Sequence, residues 1–348
     1  MLFNFNICDL FSQNKSVKIE RIAQRLIRRN KIPGMSISVI KDDTLIFSKG
    51  FGYANLKLKT PINPKSTLFR IGSVSKPISA IALAKAVLDK KIDLDISVYN
   101  YLPDFPKKKY DFSIRQLGAN IAGIRSYRGR EFLNKAPLTI AQGIDIFKDD
   151  KLIYQPGTKC VYTSYGWNLI SYILTKQLTH PFDQYVQTEV LLPMGLYSTV
   201  PDYNQVFPEK ALCYRKNILG KFSETTKVDH RHKLASGGFL STSEDVANFG
   251  NALLNNTFIP KTLQDQFTRS VVIDGKKTYY GIGFESSYDH KGRAYFGHTG
   301  NALGGYAIFR VYPEENLVVS ILINCSNPKQ NKLLNRLVDA VFKTDFKK

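Results

Sequence analysis

The sequence predicts an α/β (α+β) fold in which both chain ends build one antiparallel sheet, helices flank it, and a mostly helical subdomain is inserted between them. Three observations carry that prediction. β-rich runs lie close to each terminus, an amphipathic helix stands outside each set of strands, and the middle of the 348-residue chain reads mainly as helix. A chain of this length can bury a full core, as one large domain or two interleaved parts.

In chain order, "SVKIERIAQRLIRRN" (16–30) comes first, with Val17, Ile19, Ile22, Ala23, Leu26 and Ile27 near helical spacing and basic residues filling the rest. Pro33-Gly34 ends that helix. "MSISVI" (35–40) and "TLIFSKGFGYA" (44–54) follow, separated by "KDD", and predict a hairpin. In the middle, "GWNLISYILTKQL" (166–178) and "EDVANFGNALLNN" (244–256) are the clearest helices. Near the end, "GYAIFRVY" (305–312) and "LVVSILINC" (317–325) are strands around the turn "PEEN". The last element, "NKLLNRLVDAVFK" (331–343), is a helix with Leu333, Leu334, Leu337, Val338 and Val341 on one side.

These elements imply a single domain over 16–348, with a sheet part at about 16–75 and 235–348 and a helical insertion at about 76–234. The opening "MLFNFNICDLFSQNKS" is half apolar but has no basic n-region and no clear small-residue cleavage site. Residues 1–15 are therefore expected to be a loose N-terminus or the remnant of a signal peptide. A cleft between sheet part and insertion is where a site is to be sought.

Composition narrows the functional classes. With 43% hydrophobic and 12% aromatic residues and no apolar run of about 18 positions, a globular protein without a membrane-spanning helix is expected. The net charge of +20 invites nucleic acid or an anionic membrane as partner. However, the lysines are dispersed, and the short clusters "RLIRRNK" (25–31), "KKKY" (107–110) and the terminal "FKK" lack the interleaved aromatics of a stacking surface. A solvated basic face is the better reading, with no specific nucleic acid and room only for weak attraction to anionic surfaces. Cys8, Cys160, Cys213 and Cys325 form no C-x-x-C pair and read as free or buried thiols. The one close histidine pair, "HRH" at 230–232, has no second cluster, so neither a metal nor an organic cofactor is expected.

The pattern Ser-x-x-Lys occurs four times, at Ser12/Lys15, Ser38/Lys41, Ser73/Lys76 and Ser326/Lys329. Ser38 and Lys41 straddle a strand and its turn, where three residues apart means opposite faces. Ser12 falls in the terminal stretch and Ser326 in a loop with Pro328 before its lysine. Only Ser73 stands at a junction into a helix, after Gly72 and ahead of "ISAIALAKAVL". On a helix, positions i and i+3 share a face, so the Lys76 amine can reach the Ser73 hydroxyl. The helix start adds N–H groups that favour an oxyanion. A serine hydroxyl is a poor nucleophile until a neighbouring base takes its proton, and a lysine can be that base if burial lowers its pKa. From these four residues alone, an N-cap serine with an exposed first-turn lysine remains the simpler alternative.

The rest of the chain favours the chemical reading. "FRIGSVSK…ALAKAVLDKKIDLDISVYNYLPDFP", "YQPGTKCVYTSYGWNLISYIL" and "FGHTGNALGGYAIF" together resemble the serine β-lactamase and penicillin-binding-protein-like hydrolases. The resemblance is to the class C-related branch, which includes the mitochondrial serine β-lactamase-like proteins and their bacterial relatives, and it extends over about 18–340. It implies that Ser73, Lys76 and Tyr162 are catalytic, with Tyr162 passing a proton to the leaving group. It implies that the backbone N–H groups of Ser73 and Asn301 form an oxyanion hole on an edge strand, and that Ser164, His298, Thr299 and Gly300 contact substrate. Five positions, in three segments, depart from the family pattern. Ser164 replaces an asparagine, His298 replaces a lysine, and "HTSGI" reads "NIAGI" at Asn120, Ile121 and Ala122. The last change is expected to touch packing beside the cleft and to leave the nucleophile set alone. A literal Tyr53-Ala54-Asn55 precedes Ser73 and reads as structural.

The sequence therefore predicts a serine hydrolase working through an acyl-enzyme, peptidase or esterase, on a small-molecule or peptide substrate. β-Lactamase or D-Ala-D-Ala carboxypeptidase activity, or a non-catalytic binding or assembly role for the scaffold, are the rival readings. The resemblance favours an extracytoplasmic place, periplasm or cell envelope.

Overall fold

The structure, a computed structural model, describes residues 7–178 and 180–343. Its centre is a seven-stranded, wholly antiparallel sheet. Three strands come from the N-terminal end, β1 (Gly34–Lys41), β2 (Thr44–Asn55) and β3 (Thr60–Pro61), and four from the C-terminal end, β4 (Glu285–Tyr288), β5 (Ala294–Ala302), β6 (Gly305–Tyr312) and β7 (Leu317–Ile323). Their order in the sheet is β4-β5-β6-β7-β1-β2-β3. The two ends meet where β1 pairs with β7, from Met35 opposite Ile323 to Lys41 opposite Leu317. The predicted hairpin 35–54 is β1–β2, with a register shift between Val39 and Ile40.

Alternation along β1 shows how the sheet is sandwiched. Met35, Ile37 and Val39 are fully buried and point to the helical layer formed by α1 (Ile7–Arg28) and a C-terminal helix (Asn331–Phe342). Leu334, Leu337, Val338 and Val341 of that last helix join the same core, each contributing about 1.5–3 kcal/mol by leaving water. Ser36 and Ser38 point to the opposite face. Both are satisfied there by the hydroxyl of Ser243, at 2.6 and 2.8 Å, on the first residue of the helix Ser243–Leu254. That pairing lets polar side chains lie buried against a helix without unmet hydrogen bonds.

The second, larger core lies on this opposite face. It gathers α2 (Ser75–Leu88), α3 (Tyr165–Gln177) and α4 (Ser243–Leu254) around Trp167, Phe249 and Phe309; the C-terminal helix is then α5. Between α2 and α4 the chain makes short helices, long loops and a hairpin of Tyr214–Lys216 with Phe222–Glu224. A small sheet of Phe69–Arg70, Phe239–Ser241 and Val200–Pro201 stitches this region to the segment that carries Ser73.

Two sequence expectations change. The stretch 1–15 is helical from Ile7 onward as part of α1, and residues 1–6 lie outside the described residues. Val17 is 39% exposed, so the apolar stripe of α1 begins at Ile19. Cys160, Cys213 and Cys325 are free thiols, while the side chain of Cys8 lies outside the described set. Among the described residues no helix is long and apolar enough to cross a membrane.

Candidate active site

Ser73 sits in a single 3₁₀ turn, Gly72–Val74, that joins the strand Phe69–Arg70 to α2. Neither Ile71 before that turn nor Val74 before α2 offers a side-chain cap, so the serine is not spent as an N-cap. Its hydroxyl is left half-open at the junction of sheet and helices. One residue into α2, Lys76 is wholly buried, which removes the alternative of an exposed first-turn lysine. Its amine lies 3.1 Å from Ser73 Oγ, 2.6 Å from the carbonyl oxygen of Ser236 and 3.5 Å from Ser164 Oγ. Burial disfavours the charged form and brings the amine down to about 7. Near neutrality much of Lys76 is then a free amine, donating to Ser236 and holding a lone pair for the Ser73 proton.

Tyr162 arrives from the other side, two residues before Ser164 and the start of α3. Its side chain is 43% exposed, and its hydroxyl donates to Ser73 Oγ at 2.7 Å. Burial of that hydroxyl raises the phenol above its ordinary range, with the Ser73 bond acting against the rise. The phenol thus stays protonated, suited to giving a proton. The amine of Lys76 stands 4.9 Å from the centre of the Tyr162 ring.

The third wall is β5. Gly300 packs so tightly on the nucleophile turn that a Cβ there would come within 1.9 Å of the Ile71 carbonyl oxygen. A Cβ on Gly72, whose φ is +54°, would likewise come to about 3.0 Å from the backbone of Asn301. These two glycines set the Ser73 and Asn301 segments side by side, the arrangement an oxyanion hole needs. β5 is an inner strand of the sheet: β4 covers it from Ala294 to Gly297, and only the stretch beyond Gly297 has an edge free of strand pairing.

His298 and Thr299 are more occupied than expected. His298 is 3% exposed, Nδ1 donates to Thr299 O at 2.7 Å, and Nε2 accepts from the Tyr280 hydroxyl at 2.8 Å. Burial keeps the ring neutral, at about 4. Both nitrogens are therefore engaged away from any ligand, and the ring packs edge-on to Tyr280 and beside Tyr162. The expected direct substrate contact by His298 gives way to a supporting position. Thr299 N–H and Oγ1 both donate to the carboxylate of Glu285, at 3.0 and 3.3 Å.

Ser164 is half-buried beside the amine. Of the other Ser-x-x-Lys pairs, Ser38 is bound in the sheet to Ser243 and Ser326 Oγ accepts from Gly304 N, both away from Ser73, while the side chains of Ser12 and Lys15 lie outside the described set. Tyr53 to Asn55 ends β2 as expected.

Sequence reasoning undervalued Asn120 and missed Glu285 and Tyr280. Asn120, at φ +60°, accepts from Thr163 N through Oδ1 at 3.1 Å and from Val161 N through its backbone oxygen at 3.0 Å. It pins the Tyr162 segment directly, which corrects the reading of "NIAGI" as mere packing. An asparagine in a left-handed turn was the available signal; Glu285 and Tyr280 stand in no motif. Among the described residues no group of three or more His, Cys, Asp or Glu could hold a metal ion.

A split antiparallel sheet, a helical layer inserted beside it and a buried lysine under a serine at their junction define the β-lactamase/transpeptidase-like class of fold. The Beta-lactamase family model matches residues 19–342, and the chain belongs to that family, a serine-hydrolase type. The mitochondrial serine β-lactamase-like protein LACTB of Bos taurus is 24% identical, over 84% of this chain and 73% of that one. A D-aminopeptidase of Gluconobacter oxydans is 26% identical, over 90% of this chain and 60% of that one. The same fold appears in the D-amino acid amidase from Ochrobactrum anthropi, with a TM-score of 0.83 at 19% identity, covering 95% of this chain and 99% of that one. It appears too in the octameric penicillin-binding protein homologue from Pyrococcus abyssi, with a TM-score of 0.82 at 23% identity over 94% of this chain and 77% of that one.

Proposed function

We propose that the protein hydrolyses peptide-like or ester substrates through an acyl-enzyme on Ser73. The observation that carries the reading is the convergence on one hydroxyl: Lys76 Nζ at 3.1 Å and the Tyr162 phenol at 2.7 Å. In acylation the neutral Lys76 amine takes the Ser73 proton as Oγ bonds to the substrate carbonyl carbon. The N–H groups of Ser73 and Asn301 hold the oxyanion. As the tetrahedral intermediate collapses, Tyr162 gives its proton to the leaving amine or alcohol and is reprotonated from the Lys76 ammonium. Water then adds to the acyl carbon with the same groups in reverse order, releasing the acid and restoring the serine hydroxyl.

Two features support peptidase or esterase over β-lactamase activity. The neutral, internally bonded His298 supplies no cation for a substrate carboxylate, and Ser164 has no amide to offer a substrate amide. Relatives named as an aminopeptidase and an amidase point the same way. Incubation with a fluorophosphonate followed by mass spectrometry should give one adduct on Ser73 in the wild type and none in Ser73→Ala. Absence of the adduct would leave a binding scaffold, and rapid cephalosporin turnover would overturn the substrate assignment.

A further inference from the structure

We infer that the substrate is a peptide with an acidic segment, received by a basic chamber at one end of the cleft. The inference rests on the hydrolase reading for where the scissile bond lies, and goes beyond it in naming the chemistry of the substrate. The chamber has a volume of about 800 Å³; Arg130, Lys135 and Arg215 supply its charge and Phe132, Leu133 and Leu303 much of its apolar wall.

Both walls are tied to the catalytic groups. Leu303 lies two residues past Asn301 in the turn that leaves β5, and its carbonyl is fixed by Arg70 Nη1 at 2.9 Å. On the opposite wall, the carbonyl of Phe132 accepts from Lys233 Nζ at 2.7 Å, and its ring lies 6.4 Å from that of Tyr127. Tyr127 in turn lies beside Ser164 and Ser236, the two residues that hold the Lys76 amine, and their side chains act against the burial that raises its phenol. An extended chain leaving the oxyanion site along β5 beyond Asn301 therefore runs toward the chamber.

Its charge is uncompensated. The one carboxylate in the lining, Glu131, is already bound by Arg125 Nη1 and Nη2 at 2.7 and 3.1 Å, by Arg128 N at 2.7 Å and by the Tyr165 hydroxyl at 2.8 Å. Arg215 lies opposite Ser223 in its hairpin, and Glu224 lies opposite Tyr214 on the other face. Among the described residues, no carboxylate pairs with Arg130, Lys135 or Arg215 within salt-bridge distance. Three like charges around a concave, partly apolar wall focus a positive potential, and two of them are guanidinium forks that match carboxylates. Apolar side chains between the cations suit a peptide with mixed acidic and apolar residues better than a bare inorganic anion.

The test uses full-length Ser73→Ala, which binds without turnover, and calorimetric titration with three acetylated hexapeptides that differ only in carrying two Glu, two Gln or two Lys. The Glu peptide should bind about tenfold more tightly than the Gln peptide, and the Lys peptide more weakly than either. Adding Lys135→Ala and Arg215→Ala should erase the Glu advantage. Lys90→Ala with Lys91→Ala, which removes the same charge from the far end of α2, should leave it intact. Equal binding of the three peptides, or equal loss in the control pair, would overturn the inference, as would chamber-dependent binding of phosphatidylserine vesicles with no peptide preference. Fluorophosphonate labelling of the wild type reads the hydrolase assignment separately, so labelling without a Glu preference defeats the chamber alone.

Discussion

A lysine amine taken out of water loses the hydration its charged form needs most, and at Lys76 that loss makes the amine a base near neutral pH. Total burial with hydrogen-bond partners that are all neutral brings the amine to about 7, so the fraction able to accept the Ser73 proton grows as pH rises through that value. Acylation measured as kcat/KM should rise about tenfold per pH unit below 7 and level off above it. Lys76→Arg, always charged, should lower it by about 10²–10⁴ on the plateau above pH 7 and flatten the rise below it. The same shift has a stability consequence of definite sign. The folded-state pKa of about 7 lies below the unfolded value of about 10.4, so between them the unfolded chain binds more protons and stability increases with pH. Lys76→Met removes this penalty. It should abolish labelling of Ser73 yet raise the melting temperature at pH 6, with the gain shrinking as pH climbs toward 10. A variant less stable than wild type at pH 6 would mean that the bond to the Ser236 carbonyl outweighs desolvation.

At the scale of elements, the close approach of β5 to the nucleophile turn governs the site. With 1.9 Å between a Cβ at 300 and the Ile71 oxygen, Gly300→Ala cannot keep both backbones in place. Ile71 is held on its other side through its N–H to Phe239 O at 3.3 Å, so β5 must yield. We expect a loss of about 1–3 kcal/mol in urea unfolding and, because Asn301 moves off the oxyanion position, a fall of about 10² in kcat. The strands and helices that meet here were legible in the sequence. β1, β2, β6 and β7 alternate or run apolar between turn residues, and α3, α4 and α5 carry clear helical stripes, so local periodicity sufficed. The meeting of Ser73, Lys76 and Tyr162 was legible through motifs that place a hydroxyl, an amine and a phenol at set positions. The occupation of His298 by Tyr280, of Thr299 by Glu285 and of the Thr163 N–H by Asn120 was not, because each contact joins positions distant in sequence through a fold that must first exist. The helical start at Ile7 escaped because Ile7, Leu10 and Phe11, though at helical spacing, are cut off by the polar run 12–16 from the stripe that begins at Ile19.

Across the whole molecule, one buried ion cluster joins the inserted region, the nucleophile segment and the main sheet. Asp202, 1% exposed and just after the strand Val200–Pro201, accepts from Arg70 Nε at 2.6 Å and from Lys210 Nζ at 2.5 Å. Arg70 lies three residues before Ser73 and reaches on to Leu303 O in the β5–β6 turn. Burial alone would raise the Asp202 carboxyl, but Arg70 foremost among its cationic neighbours holds it down to about 2. Its unfolded value is about 3.9, so the cluster's contribution is fully present above pH 4 and disappears as pH falls through about 2. Asp202→Asn keeps the shape but leaves the buried Arg70 and the partly buried Lys210 without a counter-charge, which should cost about 3–5 kcal/mol near neutral pH. Urea melts at pH 7 should show that loss, and melts between pH 4 and 2 should show a flatter acid dependence than wild type. Because Arg70 also steadies the turn after Asn301, the variant should label more slowly at Ser73 even where it is fully folded. Full labelling speed alongside the expected loss of stability would show that the cluster holds the two parts together without setting the oxyanion site.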